Sequence, residues 1–169
     1  MIIANLFKSR DLSQIRKIFL FAVLISNMAF SQNAGFGSLA SDRTEPIEFN
    51  SDRLIFNQGE NLAELFDEVK IIQGKTILSA DYVKAIYSNT NKLEKVFAER
   101  NIELKSEQDI ARADTAVYSL TENSISLIGN ARLIQGANNI MADQILINTE
   151  TGLTQLLGSV KTVISPSTN

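Results

Sequence analysis

The chain repeats itself. The stretch VKIIQGKTILSADYVKAIY at 69–87 returns as ARLIQGANNIMADQILIN at 131–148. Both copies carry Ile-Gln-Gly (Ile72, Gln73, Gly74; Ile134, Gln135, Gly136) and, at the same spacing, Ala-Asp (Ala80, Asp81; Ala142, Asp143). A degraded middle copy, IELKSEQDIARADTAVY at 102–118, keeps Ala113-Asp114, while FNSDRLIF at 49–56 opens the series and VKTVI at 160–164 closes it. Asp52, Asp81, Asp114 and Asp143 therefore stand 29, 33 and 29 residues apart. A period of this length means stacked supersecondary units that bury their apolar faces on one another.

Within each unit the pattern is that of strands. Short alternating or β-branched runs (IEF, LIF, VKII, YVKAIY, AVYSL, ISLI, ARLI, ILI, VKTVI) are separated by turn clusters such as Asn57-Gln58-Gly59, Ser88 to Asn91, and Thr121-Glu122-Asn123. Leu62, Leu65, Phe66 and Val69 would also fit a helix face. The counterparts of that stretch carry Gly129 and Gly158 in mid-run, so 61–72 reads as strand too. Each repeat then holds roughly four short strands. Pro46 and Pro166, the two prolines, bracket the repeats where sheet begins and ends.

The Ala-Asp step carries the geometry. Apolar residues lie at −3 and −1 before each Asp: Phe49; Leu78 and Ala80; Ala111 and Ala113; Ile140 and Ala142. After it they lie at +2 and +4: Leu54 and Phe56; Val83 and Ala85; Ala116 and Tyr118; Ile145 and Ile147. A flat strand would send these two sets to opposite faces. A bulge or corner at each Asp brings both to one interior, and a short carboxylate can bond the local backbone there. Stacked corners give two sheets folded over one apolar interior. Ile134, inside the repeat, counts as a folding position.

Composition excludes much chemistry. There is no Cys and no His, so the chain has no thiol nucleophile, no disulfide and no imidazole base or ligand. The Asp series lacks the Asp-x-Asp and nonapeptide period of calcium ladders. No Gly-x-x-x-x-Gly-Lys loop is present, and Ile72-Gln73-Gly74 reads as a strand ending in a turn. No motif selects a catalytic pair, and Tyr82, Tyr87 and Tyr118 are read as core packing. Residues 32–169 hold 12 basic and 18 acidic residues, a net charge of −6, which offers no footprint for nucleic acid.

The N-terminus reads as an address. Arg16-Lys17 precede the apolar run IFLFAVLISNMAF (18–30), which is short for a membrane span of ~20 residues. Ala29-Phe30-Ser31 then places small residues at −3 and −1 of a cut before Gln32. Residues 1–31 are thus a signal peptide, with an uncleaved anchor as the alternative. Residues 32–45 read as a flexible leader, 46–165 as the β-domain, and 166–169 as a C-terminal tail.

In order and spacing, several blocks resemble the OstA-like family. They are Pro46-Ile47-Glu48-Phe49-Asn50-Ser51-Asp52; Val69, Ile71, Gln73-Gly74 and Ala80-Asp81; Gly129-Asn130-Ala131 with Leu133 and Gln135; and the closing VKTVISPS. The likeness covers about residues 45–167 and is nearest to the family's small periplasmic lipopolysaccharide-transport members. Two features depart from the family pattern: the middle copy lacks Gln-Gly, and Phe66-Asp67-Glu68 stands where a Gly-containing step is more usual.

The resemblance implies an all-β fold, an OstA-like β-jelly-roll of repeated short antiparallel strands forming a V-shaped two-sheet groove. It implies no enzymatic activity and no cofactor. The implied ligand is lipopolysaccharide, whose lipid A acyl chains ride in the V. The implied partners are an LptC-like inner-membrane component, an LptD-like outer-membrane component and further copies of the chain stacked head to tail. The family's lipid-facing residues on the opening strand match Ile47 and Phe49, and those after the middle Ala-Asp match Tyr118 and Leu120. Ile102 and Leu104 are a looser match. Two alternatives remain open: a membrane-anchored LptC-like relative, and a secreted structural β-repeat without ligand.

Overall fold

The computed structural model describes residues 36–107 and 109–164. A short helix, α1 (Ser38–Asp42), precedes ten strands: β1 (Ile47–Asn50), β2 (Arg53–Asn57), β3 (Leu62–Gln73), β4 (Thr76–Tyr87), β5 (Leu93–Ser106), β6 (Asp109–Ser119), β7 (Ser124–Gln135), β8 (Asn138–Asn148), β9 (Thr154–Leu157) and β10 (Lys161–Val163). They form one antiparallel sheet in the order β1-β3-β4-β5-β6-β7-β8-β10, with β2 also on β3 and β9 also on β8. β1 and β2 are thus two halves of one edge strand, and β9 and β10 two halves of the other. The sheet does not close, so the all-β fold read from the repeats is the one found. The expected signal peptide and C-terminal tail lie outside the described residues.

Alternate long strands, β3, β5 and β7, are broken at one level. β3 has Asp67 and Glu68 at φ 62° and 48°, β5 has Arg100 and Asn101 at 65° and 53°, and β7 has Gly129 and Asn130 at 80° and 47°. The pairing register shifts at each of these steps, where two residues face the single Asp81, Asp114 or Asp143 of the next strand. Such bulges bend a strand and reset which face its side chains take. Left-handed backbone is uncommon outside glycine, and Asn and Asp are the residues that best tolerate it. Asp67-Glu68 therefore makes the same step as Gly129-Asn130, without glycine.

The consequence is the one-sided interior expected from the Ala-Asp spacing. On β4, Leu78, Ala80, Val83 and Ala85 are all buried. On β8, Ala142, Ile145 and Ile147 are buried and Ile140 packs against them. On β6, Ala111 and Ala116 are buried while Ala113 and Tyr118 pack on the core. The pattern fails after Asp52: Leu54 and Phe56 are 56% and 55% exposed. They have the right parity, but β2 is an edge strand.

Three expectations are corrected. Residues 36–45 are not a loose leader, because Phe36 and Leu39 are buried in the core and α1 lies on the sheet. A five-residue helix has little stability of its own, so its docking holds it. Ile134 is half-buried on the outer face, since it follows Leu133, which takes the core position of β7. Tyr82 likewise faces outward, one residue past the corner, and its hydroxyl donates to Glu64 Oε1 at 2.6 Å.

Candidate functional site

Register turns the interior into rows that cross the whole sheet. On one side of the corners the row is Phe49, Ile71, Leu78, Leu104, Ala111, Leu133, Ile140 and Thr162, each paired to the next. On the other side it is Leu54, Leu65, Val83, Ala98, Ala116, Leu127, Ile145 and Leu156. Folding along the corners brings the two rows onto one core. The result is an apolar trough whose length is the stacking direction of the strands. Both of its ends are edge strands.

One lip of the trough is polar. Two residues beyond the first row, on the same face, lie Ile47, Gln73, Thr76, Ser106, Asp109, Gln135 and Asn138. Burial pushes the Asp109 carboxyl above its usual range, against a hydrogen bond from Gln135 that lowers it. The other lip is apolar, with Tyr87, Leu93 and Tyr118 packed against the core. Tyr118 reaches across the mouth, its Oη donating to Gln73 Oε1 at 3.3 Å. Burial raises the Tyr118 phenol, and the nearby Arg43 guanidinium opposes this.

Helix α1 lies in the mouth. Its Asp42 Oδ2 accepts from Thr76 Oγ1 at 2.8 Å and from the Lys75 amide at 3.1 Å, and Ser38 Oγ sits 2.5 Å from Ser106 Oγ. Gln73 Nε2 donates to the Arg43 and Glu45 carbonyls. Arg43 pairs with Glu150 of the β8–β9 loop. Beneath Leu39 a cavity of ≈ 20 Å³ remains, walled by Ile71, Leu78, Leu104, Tyr118 and Ile125. That is room for about one water-sized sphere. A wider, open hollow of ≈ 380 Å³ lies over the outer face of β7–β9, lined by Glu122, Ser124, Ser126, Asn148 and Gln155 together with Leu146 and Leu153, so that it is as much apolar as polar.

The residues matched to a lipid path fall in three settings. Ile47, Phe49 and Tyr118 are half-buried and packed against the core. Leu120 lies in the turn that follows β6, half-buried, with its amide donating to the Glu94 carbonyl. Ile102 and Leu104 are 2% and 1% exposed, in the depth of the fold. The polar lip and the docked α1 were not picked out as site features. The repeated Gln73 and Gln135 were the signal for the lip, but they resemble ordinary strand-end residues. The small residues around Leu39 offered no period at all.

The corner carboxylates hold protein groups. Asn101 Nδ2 donates to Asp81 Oδ2 at 2.8 Å, Asn130 Nδ2 to Asp114 Oδ2 at 2.8 Å, and the Ser159 amide to Asp143 Oδ2 at 2.9 Å. Among the described residues, no three His, Cys, Asp or Glu side chains gather into a metal site.

The model of the family described as LptA/(LptD N-terminal domain) LPS transport protein matches residues 48–153. The chain belongs to this family. Members transport lipopolysaccharide and are not enzymes. Among curated relatives of this LptA-type chain, an uncharacterised protein of Rhizobium meliloti is 26% identical over 146 residues, covering 80% of this chain and 78% of the relative. The lipopolysaccharide export system protein LptH of Pseudomonas aeruginosa is 27% identical over 135 residues, covering 73% and 77%. The crystal structure of LptH, described as the LptA-homologous periplasmic component of the lipopolysaccharide transport device, superposes with a TM-score of 0.67 at 22% identity. It covers 75% of this chain and 99% of LptH, and so shares the fold. The family match begins at Glu48, so α1 lies outside the part of the LptA-type domain that the family model describes.

Proposed function

We propose that this LptA-type protein works in the periplasm as a non-enzymatic carrier, exported by cleavage of residues 1–31. It shelters the acyl chains of lipopolysaccharide in the trough and passes them from an LptC-like to an LptD-like component, with copies stacked head to tail. One observation carries this reading: the two rows run from one unpaired edge to the other, apolar throughout except for Thr162 at the end of the first. Burying a CH₂ is worth ~0.8 kcal/mol, so an acyl chain of ~12 carbons costs roughly 10 kcal/mol to expose to water. A lipid with several such chains needs a dry path, and identical stacked units offer similar affinity at each step. Ile47, Phe49, Tyr118 and Leu120 line this path, and Ile102 and Leu104 form its floor.

The edges support the stacking. β2 exposes Leu54, Ile55 and Phe56, while the opposite edge exposes Leu157, Val160, Val163 and Ile164. Unpaired edges are normally blunted by charge or proline, and apolar ones suit strand addition. Native mass spectrometry of the exported protein tests the function directly. The expected result is mature protein lacking residues 1–31 with lipopolysaccharide bound. Protein that retains Met1, or that carries no lipid even after incubation with lipopolysaccharide, removes the reading.

A further inference from the structure

Resting on that reading, we propose that the segment Phe36–Glu45 is an internal occupant of the lipid trough. It holds the place of a ligand whose polar linkages bond Thr76 and Ser106 on the lip, and it must leave before lipid loads.

The segment has the anatomy of an amphiphile. Phe36 and Leu39 point into the apolar core and are 0% and 4% exposed. Ser38 and Asp42 meet the polar lip instead, at Ser106, Thr76 and the Lys75 amide. Ser106 and Thr76 bond each other at 2.8 Å, so together they form one buried hydroxyl pair. The fit is close: a Cβ on Gly74, at φ 58°, would lie 2.5 Å from Asp42 Oδ1. Apolar groups below and hydrogen-bonding oxygens at the lip are also what an acyl chain joined through an amide, ester or hydroxyl would present. Two donors that an unpartnered lip would otherwise lose to desolvation are thus satisfied by either occupant.

The segment is also built to come out. α1 has five residues, and Gly37 at its N-cap makes no side-chain capping bond. Both partners of its Arg43–Glu150 pair are exposed, which leaves that bridge weak. Pro46, which has no amide hydrogen to give a ladder, separates it from β1. An acyl chain buries many more methylene groups than Phe36 and Leu39 provide, so exchange for lipid favours the lipid. The closed trough, with its ≈ 20 Å³ cavity, has no room for both.

The chain has no cysteine, so the strap can be locked cleanly. The full-length Ser38→Cys/Ser106→Cys variant, placed where the two Oγ atoms are 2.5 Å apart, is compared oxidised and reduced. The readouts are crosslinking to lipopolysaccharide and fluorescence of the apolar dye N-phenyl-1-naphthylamine. Locking removes the competent fraction, so the oxidised form should bind at least roughly tenfold more weakly than the reduced form. A second variant, Leu39→Ser, loosens the strap and should load more lipid and dye than the parent. Equal binding by oxidised and reduced protein, or no gain in Leu39→Ser, makes α1 a fixed part of the core and overturns the proposal. Should parent and reduced protein take up dye but no lipopolysaccharide, the lipopolysaccharide reading fails. The strap is then judged on dye alone by the same two comparisons.

Discussion

Asn130 Nδ2 donates to Asp114 Oδ2 at 2.8 Å, and Asn101 makes the same bond to Asp81 at the same distance one unit earlier. Each pair ties the second left-handed residue of a bulge to the corner Asp of the preceding strand, on the side away from the Asp that the bulge faces. The carboxylate thereby fixes the place where the sheet turns. Asp114→Ala should cost ~1 kcal/mol, the worth of a net hydrogen bond, and Asp114→Asn should cost less. Gly129→Ala should cost more, because its φ is 80° and the new Cβ would lie 2.5 Å from Asp114 Oδ2. Urea unfolding of the three variants checks this order. Chelator should leave the melting temperature unchanged, and a drop of several degrees would replace the hydrogen-bond account with a metal.

Phe49→Glu and Leu120→Glu place a charge at half-buried positions of the proposed lipid path. They should fold, because the charge keeps access to water, yet hold lipopolysaccharide poorly. Leu133→Glu is the core control: at 2% exposure, an unpaired charge there should prevent stable folding. Circular dichroism and lipid crosslinking separate the two effects. Trough variants that fold and bind like the parent would place the lipid path elsewhere.

All three tyrosines should ionise late. A hydrogen bond to Glu64, with burial behind it, pushes the Tyr82 phenol up to about 12. Burial raises Tyr87 and Tyr118 as well. Raised values mean that the unfolded chain ionises first. Stability is therefore complete below pH 10 and is lost as pH climbs toward the folded values. Absorbance at 295 nm should rise near pH 10 in urea and later in buffer. Coincident curves would contradict the Tyr82–Glu64 bond.

Removing residues 160–169 takes away β10 but leaves β8 paired to β7 and β9. The truncated chain should stay folded and lose concentration-dependent rods. Leu54→Lys with Phe56→Lys should do the same from the opposite edge. Light scattering that finds undiminished oligomers in either variant would move the assembly surface away from the strand edges.

Period and spacing by themselves determined the repeat, the all-β class and the corner at each Ala-Asp. These are local properties: a two-residue alternation that skips once can be satisfied only by a bend. Leu78, Ala80, Val83 and Ala85 could be assigned to one interior for that reason. Tertiary structure alone decided the rest. Leu54 and Phe56 have the same parity as the buried residues, yet being on an edge leaves them exposed. Ile134 and Leu133 are adjacent and equally apolar, and only the pairing of β7 says which is inside. Phe36 and Leu39 sit in a stretch with neither period nor propensity. Their burial comes from filling a trough built by strands distant in sequence, which no local pattern could announce.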